Sequence, residues 1–446
     1  MQINIFITLV ARAFCAEVLN LKRFKLKYSK PAFPLLKKAG FAGIFVVKGE
    51  YKMISEKMMS LGKKSSVIRE IFEYSKKRKA EIGDDKVFDF SIGNPSVPAP
   101  SKVGEVIKNL VDTVDPVALH GYTSAVGDNG VRSAIADYIN NKYSADVKPE
   151  LIYMTCGAAA SLTITLNAIV NEGDEIIIIA PFFPEYRVFI EKAGAKPVIV
   201  KSNEDDFQID FNALEKAINK NTKGIIINSP NNPSGVILSD DCLTQLGALL
   251  DKKQKEFGTD IYLIADEPYR ELVYTDEEVP YATKYYNNTV VCYSFSKSLS
   301  LPGERIGYIL VSPKATNCGD LFAAVCGAGR ALGFVCAPSM WQFVVKECLG
   351  LTADTNVYKE NRELLLNGLS NIGYTMAKPD GAFYLFMKAL EPDAYAFCEK
   401  AKKHELLLVP SDDFGFTGYV RIAYCVKTEQ IENAMPAFKK LFDEYK

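Results

Sequence analysis

Val291-Cys292-Tyr293-Ser294-Phe295-Ser296-Lys297-Ser298-Leu299-Ser300-Leu301-Pro302-Gly303-Glu304-Arg305-Ile306-Gly307 decides how the chain is read. Its first residues continue an apolar run from Thr289 to Tyr293, the mark of a short buried strand. Serines stand at 294 and 296, Lys297 follows, and Arg305 comes eight residues later, just past a Pro302-Gly303 break. A lysine amine has a pKa of about 10.4, so at neutral pH it is an ammonium and not a nucleophile. At the end of a buried strand such a residue is oddly placed for mere solubility. Joined to an aldehyde as a Schiff base, it becomes a covalent anchor. Ser294 and Arg305 then suit a phosphate, Arg because its planar fork matches phosphate oxygens. Taken alone, the stretch also fits a surface turn.

Outward from it, strands and helices alternate. Strands are predicted at 151–156, 176–180, 197–200, 224–227, 261–265 and 290–293, with helices from Gly157 to about Val170, at 211–219 and at 240–257. Ile176–Ala180 is nearly all β-branched, as in a strand buried on both faces. Such alternation predicts an α/β domain with a mostly parallel sheet between helices. Past Ala337 the pattern changes. Helices at 339–346, 356–370, 394–404 and 428–444 mix with short strands at 382–386, 407–409 and 419–423, which predicts a smaller α+β domain. Upstream, 66–83 reads as a surface helix, 87–91 as a strand, and 92–100 as an extended loop that its prolines keep from being helical. Helices follow at 103–114 and 130–141, with Leu119–Tyr122 opening a loop between them. The division expected is a leader (1–52), an N-terminal arm and part of the small domain (53–104), a large domain (105–337) and a small domain (338–446).

Four other stretches leave strands where open α/β sheets hold their ligands. Thr155-Cys156-Gly157-Ala158-Ala159-Ala160-Ser161 puts small residues at a strand-to-helix turn, where amide N–H groups and the helix N-terminus favour an anion. A well-packed helix start reads the same way. Ala180-Pro181-Phe182-Phe183-Pro184-Glu185-Tyr186 offers aromatic faces to a ring, or a core cluster. Asn228-Ser229-Pro230-Asn231-Asn232-Pro233-Ser234-Gly235 carries polar side chains off a buried strand, though its dipeptides are also common in turns. In Ile264-Ala265-Asp266-Glu267-Pro268-Tyr269-Arg270, Asp266 ends an apolar strand, and a buried carboxylate needs a partner or it protonates. A pyridinium N–H is a fitting one, because the pair keeps such a ring electron-withdrawing. Five such stretches in this order are hard to explain as packing alone.

Composition narrows the rest. With 446 residues, 48% hydrophobic, the chain is too long for one simple core. A net charge of −1 gives no reason to expect nucleic acid as a partner. Ten scattered cysteines and two histidines, His120 and His404, fit neither a metal cluster nor a disulfide scaffold, and suit a reducing cytoplasm. No run reaches the ~20 apolar residues of a membrane span, so no membrane is expected. Residues 1–52 hold ten Lys/Arg and two Glu, net +8, leaving −9 for 53–446. A secretory signal would need positive charge ahead of the apolar stretch at Ile3–Val10, and none is there. A transit peptide fits the composition; an extension upstream of Met53 and outside the enzyme is the reading preferred.

From about residue 60 to the end the chain resembles the class I/II aminotransferases of the fold-type I pyridoxal-phosphate-dependent family. The motifs that carry the likeness are Asn232-Pro233-Ser234-Gly235, Asp266-Glu267-Pro268-Tyr269, Ser294-Phe295-Ser296-Lys297 with Arg305-Ile306-Gly307, and Arg421-Ile422. The resemblance implies a seven-stranded type of sheet, pyridoxal 5'-phosphate as cofactor, and ping-pong transfer of an amino group from an amino acid to a 2-oxo acid. It implies that Lys297 anchors the cofactor and shuttles the proton. Asp266 would pair with the pyridine nitrogen, Asn232 and Tyr269 bind the ring hydroxyl, and Phe183 stack on the ring. Ala158, Ala159, Ser294 and Arg305 would hold the phosphate, helped by Tyr122 from the other subunit of a homodimer with shared active sites. Arg421 would clamp the substrate carboxylate, with Asn232 close by, and Gly93 let the backbone approach it. Arg330, 33 residues past Lys297, falls near where some relatives keep a side-chain-binding arginine; among small and apolar neighbours it also reads as a structural ion pair. On the same scaffold an α,β-eliminating lyase, such as a C–S lyase, or a decarboxylase stays open. A non-enzymatic regulatory module is disfavoured, since the leader has no helix-turn-helix pattern.

Overall fold

The computed structural model describes residues 54–63, 66–276 and 278–446, and the expectations for the leader and for Met53 lie outside them. By their contacts 54–63 and 66–446 fall into separate units; the first is a short helix, Glu56–Lys63. The second begins with the helix Val67–Ile82, capped by Ser66, whose side chain accepts from the Arg69 amide, and closed at Gly83. Its apolar side packs on Val87, Leu407, Val409 and Phe414. Phe88–Asp89 (β1) then pairs in parallel with Leu406–Leu407 (β10).

Seven strands make the central sheet: Ile152–Thr155 (β2), Glu175–Ala180 (β3), Lys196–Lys201 (β4), Thr222–Asn228 (β5), Tyr262–Asp266 (β6), Thr289–Ser294 (β7) and Gly307–Val311 (β8). Their order is β2-β8-β7-β6-β5-β3-β4, parallel throughout except that β8 runs against both its neighbours. Side chains alternate across this sheet, and both faces are buried. Ile177, Ile225, Ile227, Leu263, Ala265 and Val291 join one core with Val131 and Ile135 of the helix Asn129–Tyr143 and Leu243 and Leu246 of Asp240–Phe257. Ile176, Ile178, Ile226, Ile264, Val290 and Cys292 join the other, under the helices Ala158–Ile169 and Cys318–Ala331. Continuous β-branched sequence is what such doubly covered strands require.

Register fixes the working edge. Asn228 pairs with Asp266 and Asp266 with Cys292, so the ends of β5, β6 and β7 lie side by side. A second, antiparallel sheet joins Val409–Pro410 (β11), Tyr419–Ala423 (β12) and Tyr384–Lys388 (β9) in the order β11-β12-β9. The helices Asn356–Ile372 and Thr428–Asp443 pack with it in one core.

Several segments depart from the sequence reading. Leu119 and His120 end a short helix, Pro116–His120, rather than open a loop, because Asp115 caps the Val117 and Ala118 amides and Pro116 sits at its first turn. The helices Glu185–Ala193 and Cys318–Ala331 and strand β8 form where no element was expected. Ile178 is fully buried in the sheet. Ile178→Ala should therefore cost about 2–5 kcal/mol in urea unfolding, with little change in m-value.

Candidate active site

Most of the predicted residues meet in one cavity of about 330 Å³ at the C-terminal edge of the sheet. Gly93, Ala158, Ala159, Phe183, Asn232, Asp266, Tyr269, Ser294, Lys297, Arg305 and Arg421 all line it. Lys297 sits in a single helical turn, Phe295–Ser298, directly after β7. Its Nζ donates to the Gly93 carbonyl at 2.8 Å and stands 5.2 Å from the Phe383 ring centre. Burial lowers its pKa to about 8, with Arg305 and Arg421 pushing the same way and Cys425 against. Above that pH the amine is free to act as a base. Gly93 has no room for a side chain: a Cβ there would fall 1.9 Å from Tyr384 Oη.

Asp266 is the buried anion. Its Oδ2 accepts from Tyr186 Oη at 2.5 Å, while Oδ1 has no partner. Burial pushes its carboxyl up to about 7; the Tyr186 bond pulls it down and Glu267 adds to the rise. A buried carboxylate oxygen left without a donor is costly, and this one borders the cavity. Asn228 links Asp266 to the next residues. Its Nδ2 donates to the Asp266 carbonyl at 2.8 Å, and its Oδ1 accepts from the Asn232 amide at 2.7 Å. Asn232 Oδ1 in turn accepts from Arg421 Nη1 at 3.1 Å.

Arg421, on β12, is 2% exposed. Nη2 donates to the Ser91 carbonyl at 2.5 Å, and Nε has no partner. Tyr384 and Phe414 present their rings to the guanidinium at 4.7 and 5.3 Å. No carboxylate pairs with it among the described residues, and burial lowers its pKa. A desolvated cation without an anion is a place prepared for one.

At the other end, Gly157 (φ +88°) opens the helix Ala158–Ile169, and a Cβ on it would come within 3.1 Å of Arg305 Nη2. The guanidinium therefore lies against the start of that helix, beside Ser294 and Ser296, whose hydroxyls are 2.7 Å apart. This corner combines amide donors, two hydroxyls and a cation, as a phosphate requires. Sequence reasoning passed over Tyr186, Asn228 and Tyr384, although the first two stood inside stretches singled out above. Tyr384 bonds Tyr269, hydroxyl to hydroxyl, at 3.1 Å.

Two predicted residues stand apart. Tyr122 is 98% exposed and outside the cavity. Arg330 is exposed, lines no part of the cavity and makes no ion pair among the described residues. The expected structural ion pair is thus absent, for a geometric reason. In the helix Cys318–Ala331 it is Leu321, Val325, Ala328 and Gly329 that are buried, and Arg330 lies on the outer side.

A mostly parallel sheet with a buried lysine, carboxylate and arginine gathered at its edge defines an aminotransferase-type α/β enzyme. The chain belongs to the class I and II aminotransferases, whose family model matches residues 85–438. An aminotransferase of Eubacterium rectale, known from its crystal structure, is 57% identical and covers 88% of this chain and 99% of its own, with a TM-score of 0.87. The aspartate aminotransferase of Thermotoga maritima is 30% identical over 82% of this chain and 95% of its own. A (5-formylfuran-3-yl)methyl phosphate transaminase of Methanocaldococcus jannaschii is 29% identical over 88% and 100%. The enzyme is a transaminase, which decides against the lyase and the regulatory readings.

Class I and II aminotransferases use pyridoxal 5'-phosphate. The residues fit it on three counts: the orphaned Asp266 Oδ1, the lysine of lowered pKa, and the donor-rich corner at Arg305. Tyr186→Phe should raise the pKa of Asp266 further by removing the bond that lowers it. Cofactor affinity, read by fluorescence titration, should fall by about 10–100-fold, as expected for a bond to a charged group worth about 1.5–3 kcal/mol.

Proposed function

We propose that the protein is a pyridoxal-phosphate-dependent amino-acid aminotransferase that works with the residues named above. The observation that carries the proposal is Arg421, a buried guanidinium without an acidic partner among the described residues, in the same cavity as Lys297. Such a residue suits the α-carboxylate that amino acids and 2-oxo acids share, bound through paired charge-assisted bonds. Bound pyridoxal phosphate supplies the electron sink that makes a proton on the substrate's α-carbon removable.

The chain's own groups do the rest. Lys297 removes and returns the proton; with a pKa near 8, its amine is partly unprotonated at neutral pH and can do both. The Gly93 carbonyl, bonded to Nζ, aims the amine, and Tyr384, in contact with Gly93, keeps that carbonyl in place. Asp266, kept in position by Tyr186, holds a positive charge on the ring nitrogen. Asn232 and Tyr269 bind the ring hydroxyl, and Phe183 covers the ring. Ala158, Ala159, Ser294 and Arg305 take the phosphate.

The proposal includes a cytoplasmic homodimer. Tyr122, almost wholly exposed in one chain, would reach the partner's phosphate site, and Val111, Val117, Val335 and Leu351 are exposed apolar residues available to an interface. The nine cysteines among the described residues are free thiols. No helix among the described residues is long and apolar enough to cross a membrane.

Borohydride treatment followed by mass spectrometry should fix the cofactor to the wild type and leave Lys297→Ala unlabelled. Uptake of cofactor by the cofactor-free protein should quicken as pH rises through about 8, since only the unprotonated amine attacks an aldehyde. Labelling elsewhere in Lys297→Ala would refute the anchor. Arg421→Lys keeps the charge and loses the fork. It should lower kcat/KM by about 10–100-fold for every amino acid, with cofactor binding unchanged, since losing one hydrogen bond of the fork to a charged group costs about 1.5–3 kcal/mol. Near-wild-type kcat/KM would refute the carboxylate role.

A further inference from the structure

We propose that Glu271 and Tyr293 are positioning residues for Lys297, acting on it from behind through Ser298. The inference rests on the assignment of Lys297 as the cofactor anchor and deepens that reading.

Lys297 has little local structure to hold it. Its helix, Phe295–Ser298, is a single turn, and so short a helix is marginal without outside contacts. Ser294 ties the front of the turn, its Oγ accepting from the Ser296 amide at 3.2 Å. Ser298 ties the rear. Its carbonyl accepts from the Ala353 amide at 2.7 Å, and its Oγ lies 3.0 Å from Tyr293 Oη. Lys297 and Ser298 are adjacent in sequence yet face different spaces. Lys297 lines the large cavity, whereas Ser298 lines a second one of about 20 Å³, together with Glu271, Tyr293 and Tyr308.

Tyr293 is fixed in place to hold that turn. Its ring stacks on Tyr308 at 4.9 Å and meets Phe295 edge-on at 5.1 Å, so the hydroxyl cannot swing away. A phenol has one proton to give and lone pairs with which to accept. The Glu271 carboxyl takes the proton. Burial raises the pKa of that carboxyl, and the bond from Tyr293 lowers it, ahead of the Arg270 and Lys142 charges. Ser298 is then left to donate to Tyr293, in a bond that the carboxylate strengthens by polarising the phenol. Glu271 Oε2 is buried without a partner, a cost that packing alone does not explain. Tyr293 and Ser298 are 5% and 2% exposed within one chain. The relay is therefore complete in one subunit, whatever a partner adds to the large cavity.

The test uses the full-length protein freed of pyridoxal phosphate. Borohydride trapping over time, with mass spectrometry, reads how the rate of cofactor attachment at Lys297 depends on pH. The groups facing the amine, Cys425, Arg305 and Arg421, are untouched by the variants. Tyr293→Phe, Ser298→Ala and Glu271→Leu slacken the turn and let water reach the amine, so the midpoint near pH 8 should rise by about half a unit or more. At pH 7 attachment should then be about threefold slower or more. Ser298→Thr and Glu271→Gln keep the hydroxyl and the acceptor and should match the wild type. Tyr293→Phe and Ser298→Ala break the same bond, so the double variant should shift the midpoint no further than the larger single change. Variants that lose stability in urea but keep the wild-type midpoint would overturn the proposal. Additive shifts in the double variant, or Glu271→Gln shifting as far as Glu271→Leu, would overturn it too. Attachment of the wild-type cofactor at another residue would instead overturn the anchor assignment beneath it.

Discussion

Removing charge from water without a matching partner is the constraint on which the site depends. Asp266 keeps one bonded oxygen and one bare one, and Arg421 keeps a cation with only carbonyl acceptors and rings around it. Each is unfavourable in isolation. Both persist because the scaffold around them is rigid: Asp266 ends a central strand of a sheet buried on both faces, and Arg421 lies mid-strand beneath an aromatic cluster. Stability is given up locally so that ligands of opposite charge are received without reorganisation.

The two unmatched groups are also joined. From the Asp266 carbonyl the chain of bonds runs through Asn228 to the Asn232 amide and from the Asn232 side chain to Arg421. The part of the site that faces the ring and the part that faces the substrate carboxylate thus share a rigid spacer of two asparagines. Their separation is set by covalent geometry and strand register, not by two flexible side chains reaching independently. Such spacing matters in a reaction where small displacements of a reacting carbon are expensive.

Much of this was legible in the sequence, and the reasons differ by element. Runs such as Ile176–Ile179 and Ile225–Ile227 mark doubly buried strands with little ambiguity, and the functional residues at their ends followed from that placement. Strand β8 was missed because Gly307, the last residue of the Arg305-Ile306-Gly307 motif, already begins it, leaving no turn signal between the two. The helix Cys318–Ala331 is rich in Ala, Gly and Cys, so its periodicity is weak, and Arg330 looked buried because its neighbours in sequence are apolar. Its neighbours in space are set by the helical turn instead. Tyr384 had no local signal at all. It meets Tyr269 from another sheet, 115 residues away, and only the tertiary fold brings them together.

The contacts of the segment 91–93 have a consequence for how the enzyme is made. The Ser91 carbonyl is held by Arg421, and the Gly93 carbonyl by Lys297. One short loop near the start of the folded enzyme therefore waits for a strand close to its end. While the chain is being synthesised, Lys297 emerges well before Arg421 does, so the amine exists for a time without its neighbouring arginine or its finished apolar enclosure. Burial and that arginine both contribute to lowering its pKa, so on the nascent chain the lysine is an ordinary ammonium. Full reactivity toward aldehydes at neutral pH is then a property of the completed chain, acquired when the last strands dock.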